Sequence, residues 1–384
     1  MNNLGTESAF EVLAKAKALE AKGHDVVHLE IGEPDFDTPS HIVDAAIKAL
    51  RQGYTHYGPS AGLPELQEAI ADNVNATRSL EIEPGQVVVT PGGKPIMFFT
   101  IMALVQPGDE VIYPNPSFPI YESMINFCGA KLAPVRLLSD EGNRMDLDDL
   151  ESKLSPRTRL VILNSPQNPT GSVMGRQDVE RLAALLGPRE DVVILSDEIY
   201  KDIIYSGAHH SIASLPGMVE RTVILDGFSK SYAMTGWRLG YGVFPHWLTP
   251  HVVKLAANSV SCAASFTQRA AIRALEGPQE PVLNMVDEFR KRRDLIVAGL
   301  NSIPGIQCPE PEGAFYVFPS IDGTGFSSDD FQERVLSEAG VALLSGAAFG
   351  AYGEGFIRLS YANSAENIAK ALERLASFVR KDAP

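Results

Sequence analysis

Short apolar runs recur through the middle of the chain, each bounded by polar, glycine or proline residues. They predict strands over Val87–Thr90, Glu110–Tyr113, Lys131–Val135, Leu160–Leu163, Val192–Ser196, Thr222–Asp226 and Gly240–Phe244. Between them the apolar positions take helical spacing, as in Lys94–Val105 and Arg176–Leu186. Strands alternating with helices argue for an α/β sheet covered by helices on both faces. The last third reads differently. Pro281–Ser302 predicts a long charged helix, and short strands fall near Ala314–Phe318 and Phe356–Leu359. Ile368, Leu372, Leu375 and Val379 form one stripe of a final core-facing helix. This shift predicts a second, smaller α+β domain. No repeat, linker or low-complexity segment interrupts the chain.

With 384 residues the chain can bury a large core in two domains. Its formal net charge of -15 disfavours nucleic acid and anionic membranes as partners, since both need a basic surface. A local cationic pocket for a small anion remains compatible with that balance. Cys128, Cys262 and Cys308 are scattered and odd in number, so neither a disulfide framework nor a zinc site is expected. The first residues show no charged segment followed by an apolar run, and Ile96–Val105 is too short to span a bilayer. A cytoplasmic protein without a metal is expected.

Six strings carry candidate chemistry. Lys230 follows the strand Thr222–Asp226 and precedes Arg238 in Phe228-Ser229-Lys230-Ser231-Tyr232-Ala233-Met234-Thr235-Gly236-Trp237-Arg238. A lysine amine can condense with an aldehyde, and an arginine can hold a phosphate by paired hydrogen bonds. Asn164-Ser165-Pro166-Gln167-Asn168-Pro169-Thr170-Gly171 follows another strand, and Ser196-Asp197-Glu198-Ile199-Tyr200 a third. Ligands of open α/β sheets bind beyond such strand ends. Thr90-Pro91-Gly92-Gly93-Lys94-Pro95 links a strand to a helix, where glycine backbone and helix N-terminus suit a phosphate. It lacks the Walker A spacing. Phe118 lies in Pro114-Asn115-Pro116-Ser117-Phe118-Pro119, and Arg358 in the apolar run Gly355-Phe356-Ile357-Arg358-Leu359-Ser360. Each string alone also has a plain reading: turn chemistry for the Asn-Pro string, a helix cap for Asp197, a strand–turn–helix connection for the glycines, a core ring for Phe118 and an edge-strand cation for Arg358.

Taken together, the strings closely resemble class I/II aminotransferases of the fold-type I pyridoxal-phosphate enzymes, over roughly Leu29 to Tyr361. The resemblance implies a large domain over 41–278 with a mostly parallel seven-stranded sheet. It implies a small domain from 1–40 and 279–384. It implies pyridoxal 5'-phosphate held by Lys230, with Asp197 on the ring nitrogen, Tyr200 and Asn168 near the phenolic oxygen, and Phe118 stacked on the ring. Gly92, Gly93, Lys94, Ser229 and Arg238 would hold the phosphate. Gly32 and Asn168 would line the substrate site, with Arg358 clamping the α-carboxylate. Tyr57 resembles the tyrosine that reaches the neighbouring subunit's cofactor, which implies a homodimer. The implied reaction passes an amino group from an L-amino acid to a 2-oxo acid, with 2-oxoglutarate or pyruvate as acceptor. A lyase, decarboxylase or oxidase of the same fold, or a non-catalytic pyridoxal-phosphate-binding regulator, remain alternatives. Two positions depart from the family: Pro95 stands where glutamine is common, and Gly227 where many members have serine. No arginine for a second substrate carboxylate is marked. His209 and His210, the helically spaced Glu7, Glu11 and Lys15, and the acidic Asp146, Asp148 and Asp149 read as structural or solvated residues.

Overall fold

The computed structural model describes residues 4–5 and 7–382. In chain order its strands are β1 (Val27–His28), β2 (Val87–Thr90), β3 (Glu110–Asn115), β4 (Lys131–Leu138), β5 (Arg144–Met145), β6 (Thr158–Asn164), β7 (Val193–Asp197), β8 (Thr222–Gly227), β9 (Gly240–Val243), β10 (Tyr316–Val317), β11 (Val341–Ala342), β12 (Leu344–Ser345) and β13 (Ile357–Ser360). The large sheet has the order β2-β9-β8-β7-β6-β3-β4-β5. Strands β8, β7, β6, β3 and β4 run parallel; β9 is antiparallel to both neighbours. The sheet is α/β and mostly parallel, as expected. It carries eight strands rather than seven, because β5 folds back antiparallel on the end of β4. Two residues are too few to show a period, so β5 is silent in the sequence.

Central strands here are apolar on both faces because helices cover both. Leu160 and Ile162 of β6 pack with the helices Lys94–Leu104 and Pro119–Phe127, while Val161 and Leu163 pack with Arg176–Leu186. A separate cluster joins β1 and Leu29 to the helices Glu280–Asn301 and Ala365–Asp382. Ile368, Leu375 and Val379 are buried there, and Leu372 packs on its edge, so the final stripe does face a core. The helix Ser8–Glu20 adds Val12 and Ala16 to a neighbouring cluster with Phe318 and Phe349.

Beneath the carboxyl ends of β7 and β8 lies a buried ionic network. Arg78 donates from Nε to Glu198 Oε2 at 2.6 Å and from Nη2 to Asp226 Oδ2 at 2.7 Å. Tyr241 donates to the same Asp226 oxygen, Ser196 and Ser211 donate to Glu198 Oε1, and His209 Nε2 lies 2.9 Å from Glu198. Burial alone would lower the proton affinity of the guanidinium, but Glu198 and Asp226 raise it above its ordinary value. Breaking a buried pair leaves an uncompensated charge. Arg78→Ala is expected to destabilise the fold by about 3–5 kcal/mol, read as a lowered midpoint in chemical denaturation. A loss below about 1 kcal/mol would mean that His209, and Lys201 at 3.7 Å from Asp226, suffice to hold the two carboxylates.

Candidate active site

Asn164 ends β6, Asp197 ends β7, and Lys230 follows the end of β8 in a turn. The parallel register puts Asn164 opposite Asp197. Three adjacent strands thus deliver polar side chains to one edge of the sheet, where open α/β sheets bind ligands. The cleft there has a volume of ≈ 540 Å³. It is lined by Lys230, Asp197, Tyr200, Asn168, Arg238, Arg358, Gly32, Gly93, Lys94, Phe118 and Ser229. The sequence-derived site residues therefore converge, with two exceptions. Gly92 lies just behind the lining, and Tyr57 is outside it, 90% exposed.

The Lys230 ammonium donates to the Gly32 carbonyl at 2.5 Å. A Cβ at Gly32 would run into the Tyr316 ring, 3.0 Å from Cζ, so glycine here makes room for Tyr316. Burial lowers the Lys230 amine to about 8, with Glu33 opposing the fall and Arg358 adding to it. In the cofactor-free protein the amine is therefore expected to gain nucleophilicity as pH rises through about 8. The pH profile of its modification by trinitrobenzenesulfonate, read by peptide mapping, checks this. A midpoint near the ordinary lysine value of about 10.4 would contradict it.

Asp197 receives the Tyr121 hydroxyl on Oδ2 at 2.5 Å and the Ile199 amide on Oδ1 at 3.2 Å. The second bond is the local turn contact of a plain reading; the first aims the carboxyl into the cleft. Burial raises this carboxyl to about 6, partly offset by the Tyr121 and Ile199 bonds. A buried carboxyl so raised gains from any cationic partner placed beside it. Tyr121 also meets Phe118 edge to face, with ring centroids 5.7 Å apart.

Arg358 is on β13, the central strand of the small sheet β10-β13-β12, and is buried, so the edge-strand reading does not hold. Its Nη1 donates to Asn168 Oδ1 at 3.2 Å and its Nη2 to the Glu30 carbonyl. The guanidinium lies over Tyr316 and Phe349, at 4.6 and 5.0 Å from the ring centroids. Its Nε is buried without a partner. An unpaired buried donor on a cation is costly unless an anion arrives to take it.

The Gly92–Gly93 turn lies against Arg238. Gly92 has φ +88°, and a Cβ there would stand 3.0 Å from Arg238 Cζ. Arg238 donates to the Thr235 carbonyl at 2.9 Å. Glycine backbone, an arginine and the start of the helix Lys94–Leu104 together make a cradle that fits a phosphate. The Gly227 departure has a steric reason: a Cβ there would meet Gly240 Cα at 3.0 Å and Ile199 Cδ1 at 3.2 Å. Lys94 does not turn into this cradle. Its ammonium pairs with Glu7 and lies 5.6 Å from the Phe118 ring centroid. The solvated-face reading of Glu7 is thus overturned: it precedes the helix and points into the cleft.

Three further lining residues escaped the sequence reading. Asn164 accepts the Asn168 amide on Oδ1 at 2.9 Å and so sets that loop. Its place as the last residue of a strand, inside a string already singled out, was the available signal. Tyr316 shares a 2.7 Å hydrogen bond with the Tyr200 hydroxyl, and Tyr121 holds Asp197. Both look like core aromatics in the sequence. Asp146 proves to be a helix cap, accepting the Asp148 and Asp149 amides. Among the described residues no group of acidic, histidine or cysteine side chains is placed to hold a metal ion, and no helix is long and apolar enough to cross a membrane.

Residues 24–375 match the family model of aminotransferase class I and II. The chain is 41% identical over 361 residues to an aspartate aminotransferase of Pyrococcus abyssi, covering 93% of this chain and 92% of that one. It is 39% identical over 360 residues to aromatic-amino-acid aminotransferase 2 of Thermococcus litoralis, covering 93% and 92%. The solved structure of the Thermus thermophilus aspartate aminotransferase with maleate superposes with a TM-score of 0.93 at 38% identity, covering 97% of each chain. A strand-end lysine, a buried carboxyl and a buried arginine facing one cleft belong with this ancestry: the chain is a member of the class I and II aminotransferase family. Its activity is pyridoxal-phosphate-dependent transfer of an amino group between an amino acid and a 2-oxo acid.

Proposed function

We propose that the enzyme takes more than one L-amino acid as donor and uses 2-oxoglutarate or pyruvate as acceptor. The observation that carries this is the convergence of Lys230, Asp197 and an under-bonded Arg358 on a cleft with mixed apolar and charged walls. Relatives at similar identity bear aspartate and aromatic names, which supports a pocket that is not strict.

Pyridoxal 5'-phosphate, when bound, supplies an aldehyde for amine exchange and a ring that accepts negative charge from the substrate Cα. We assign its phosphate to Gly92, Gly93, Ser229 and Arg238, its ring nitrogen to Asp197, and its phenolic oxygen to Asn168 and Tyr200. Phe118 would stack on the ring, worth ~1 kcal/mol. Arg358 binds the α-carboxylate, using the Nε that has no protein partner. The Lys230 amine, already easily deprotonated, would take the proton from the substrate Cα and deliver it to the cofactor's aldehyde-derived carbon, across the amino nitrogen from Cα. Asp197 stays ionised near neutral pH once it faces a cation, which favours the charged ring. Tyr121 fixes the direction of that carboxylate.

The small domain is assigned to 1–40 and 279–384 and the large one to 41–278. Support comes from the cluster that joins β1 to the two C-terminal helices, with Tyr200, Ile203 and Tyr205 reaching it from the large domain. A homodimer is supported by Tyr57, 90% exposed and outside its own chain's cleft, and by the exposed Ile47 and Leu50. Sedimentation tests that state.

Single-turnover reaction of the holoenzyme with aspartate, glutamate, alanine, phenylalanine and arginine tests the donor range. Conversion to the pyridoxamine form by several donors, reversed by 2-oxoglutarate or pyruvate, is the expected result. Reaction with aspartate alone, by more than about a thousandfold over the others, would overturn it, because apolar contacts discriminate by only ~1–3 kcal/mol per methylene.

A further inference from the structure

Glu7 is held between two anchors. After it, the helix Ser8–Glu20 buries Val12 and Ala16 in a core cluster. Before it, the Gly5 amide donates to Ser123 Oγ at 2.8 Å, and that hydroxyl donates to the Gly5 carbonyl at 3.2 Å. The segment thus bridges the helix Pro119–Phe127 and the C-terminal cluster, and Glu7 is carried over the cleft. Its side chain is 15% exposed and its carboxylate pairs with Lys94. Burial lowers the proton affinity of both Lys230 and Arg358, and the Glu7 charge is one of the smaller effects opposing that fall.

Under the function proposed above, each other cation of the cleft has a role. Lys230 serves amine chemistry, Arg238 the phosphate and Arg358 the α-carboxylate. Lys94 is then the remaining lysine or arginine among the described residues lining the cleft. It is the group a second substrate carboxylate would seek, and Glu7 already occupies it.

We propose that Glu7 is a specificity-determining residue: an internal carboxylate that competes for Lys94 and disfavours substrates with an acidic side chain. A dicarboxylic substrate must displace Glu7 from Lys94 or lie beside a like charge. A neutral side chain meets a pair already neutralised. Repulsive elements of this kind set specificity as effectively as attractive ones. Lys94 is 49% exposed, so the pair is screened and weak. Glu7 therefore biases selection rather than blocking acidic substrates, which allows aspartate among several donors.

The test uses the holoenzyme. kcat/KM for aspartate and glutamate is compared with that for alanine and phenylalanine, alongside the affinity of succinate relative to butyrate. In Glu7→Gln the acidic-to-neutral ratio is expected to rise about tenfold, for turnover and for binding. In the double variant Glu7→Gln/Lys94→Ala the gain is expected to vanish. An unchanged or lowered ratio in Glu7→Gln overturns the proposal, and so does a gain that survives without Lys94. If the wild type exchanges amino groups with no amino acid, the reading of the site as a whole fails; the succinate-to-butyrate ratio still decides on Glu7.

Discussion

Lys230→Ala is expected to bind pyridoxal phosphate and yet lose transamination by at least about 10²–10⁴-fold, the usual contribution of a positioned general base. The loss has two parts. The variant has no amine to hold the cofactor covalently and release it to an incoming amino acid. It also has no base near the substrate Cα. Retention of the cofactor follows from the groups that stay: the Gly92–Gly93 turn against Arg238, and the Asp197 carboxyl fixed by Tyr121. Absorbance after dialysis measures retention, and single-turnover rates measure the chemistry. Borohydride reduction of the wild type, followed by peptide mapping, locates the linkage. The pyridoxyl group is expected on Lys230, whose amine burial lowers to about 8 and so keeps reactive near neutral pH. Lys94 is the control within the same cleft, with an ammonium paired to Glu7. An adduct on Lys94 or on any other lysine would refute the assignment of Lys230.

Much of this site was legible because its polar residues stand at the ends of buried parallel strands. A strand covered on both faces reads as a continuous apolar run, and its end is marked by the first polar residues. Asn164, Asp197 and the approach to Lys230 are all such marks. Arg358 was conspicuous for the opposite reason, as a charge inside an apolar strand, and it is buried there. What stayed hidden depends on tertiary contact. Tyr316 and Tyr121 have the sequence surroundings of core aromatics, and only packing turns their hydroxyls toward Tyr200 and Asp197. Glu7 shares helical spacing with Glu11 and Lys15, yet the helix begins after it, so its periodicity was misleading. The two-residue strands β1 and β11 owe their existence to distant partners, as in the pairing of Val27 with Val341. No local pattern encodes such a pairing. The Gly227 departure was visible, but its cause, the close approach of Gly240 and Ile199, was not.

Arg358→Ala is expected to act on substrate binding, and to act alike on every amino acid. The guanidinium is buried, and two of its nitrogens are committed to Asn168 and the Glu30 carbonyl, while Nε is buried and unpaired. The committed bonds orient the fork; on the assignment proposed above, the unpaired donor is what an arriving carboxylate would complete. Removing one member of a desolvated ion pair costs about 3–5 kcal/mol, equivalent to an affinity loss on the order of 10²–10³-fold or more. The α-carboxylate is common to all donors, so aspartate, alanine and phenylalanine are expected to lose affinity by similar factors. Arg358→Lys separates charge from geometry. It restores a cation but not the planar fork that lies over Tyr316 and Phe349, so only part of the affinity is expected to return. Spectral titration of each holoenzyme variant with a panel of amino acids gives the dissociation constants. If the defect were confined to aspartate and glutamate, Arg358 would be reading the side chain and the α-carboxylate would need another partner. If the folded Arg358→Ala variant bound every amino acid as tightly as the wild type, the under-bonded Nε would have no part in binding substrate.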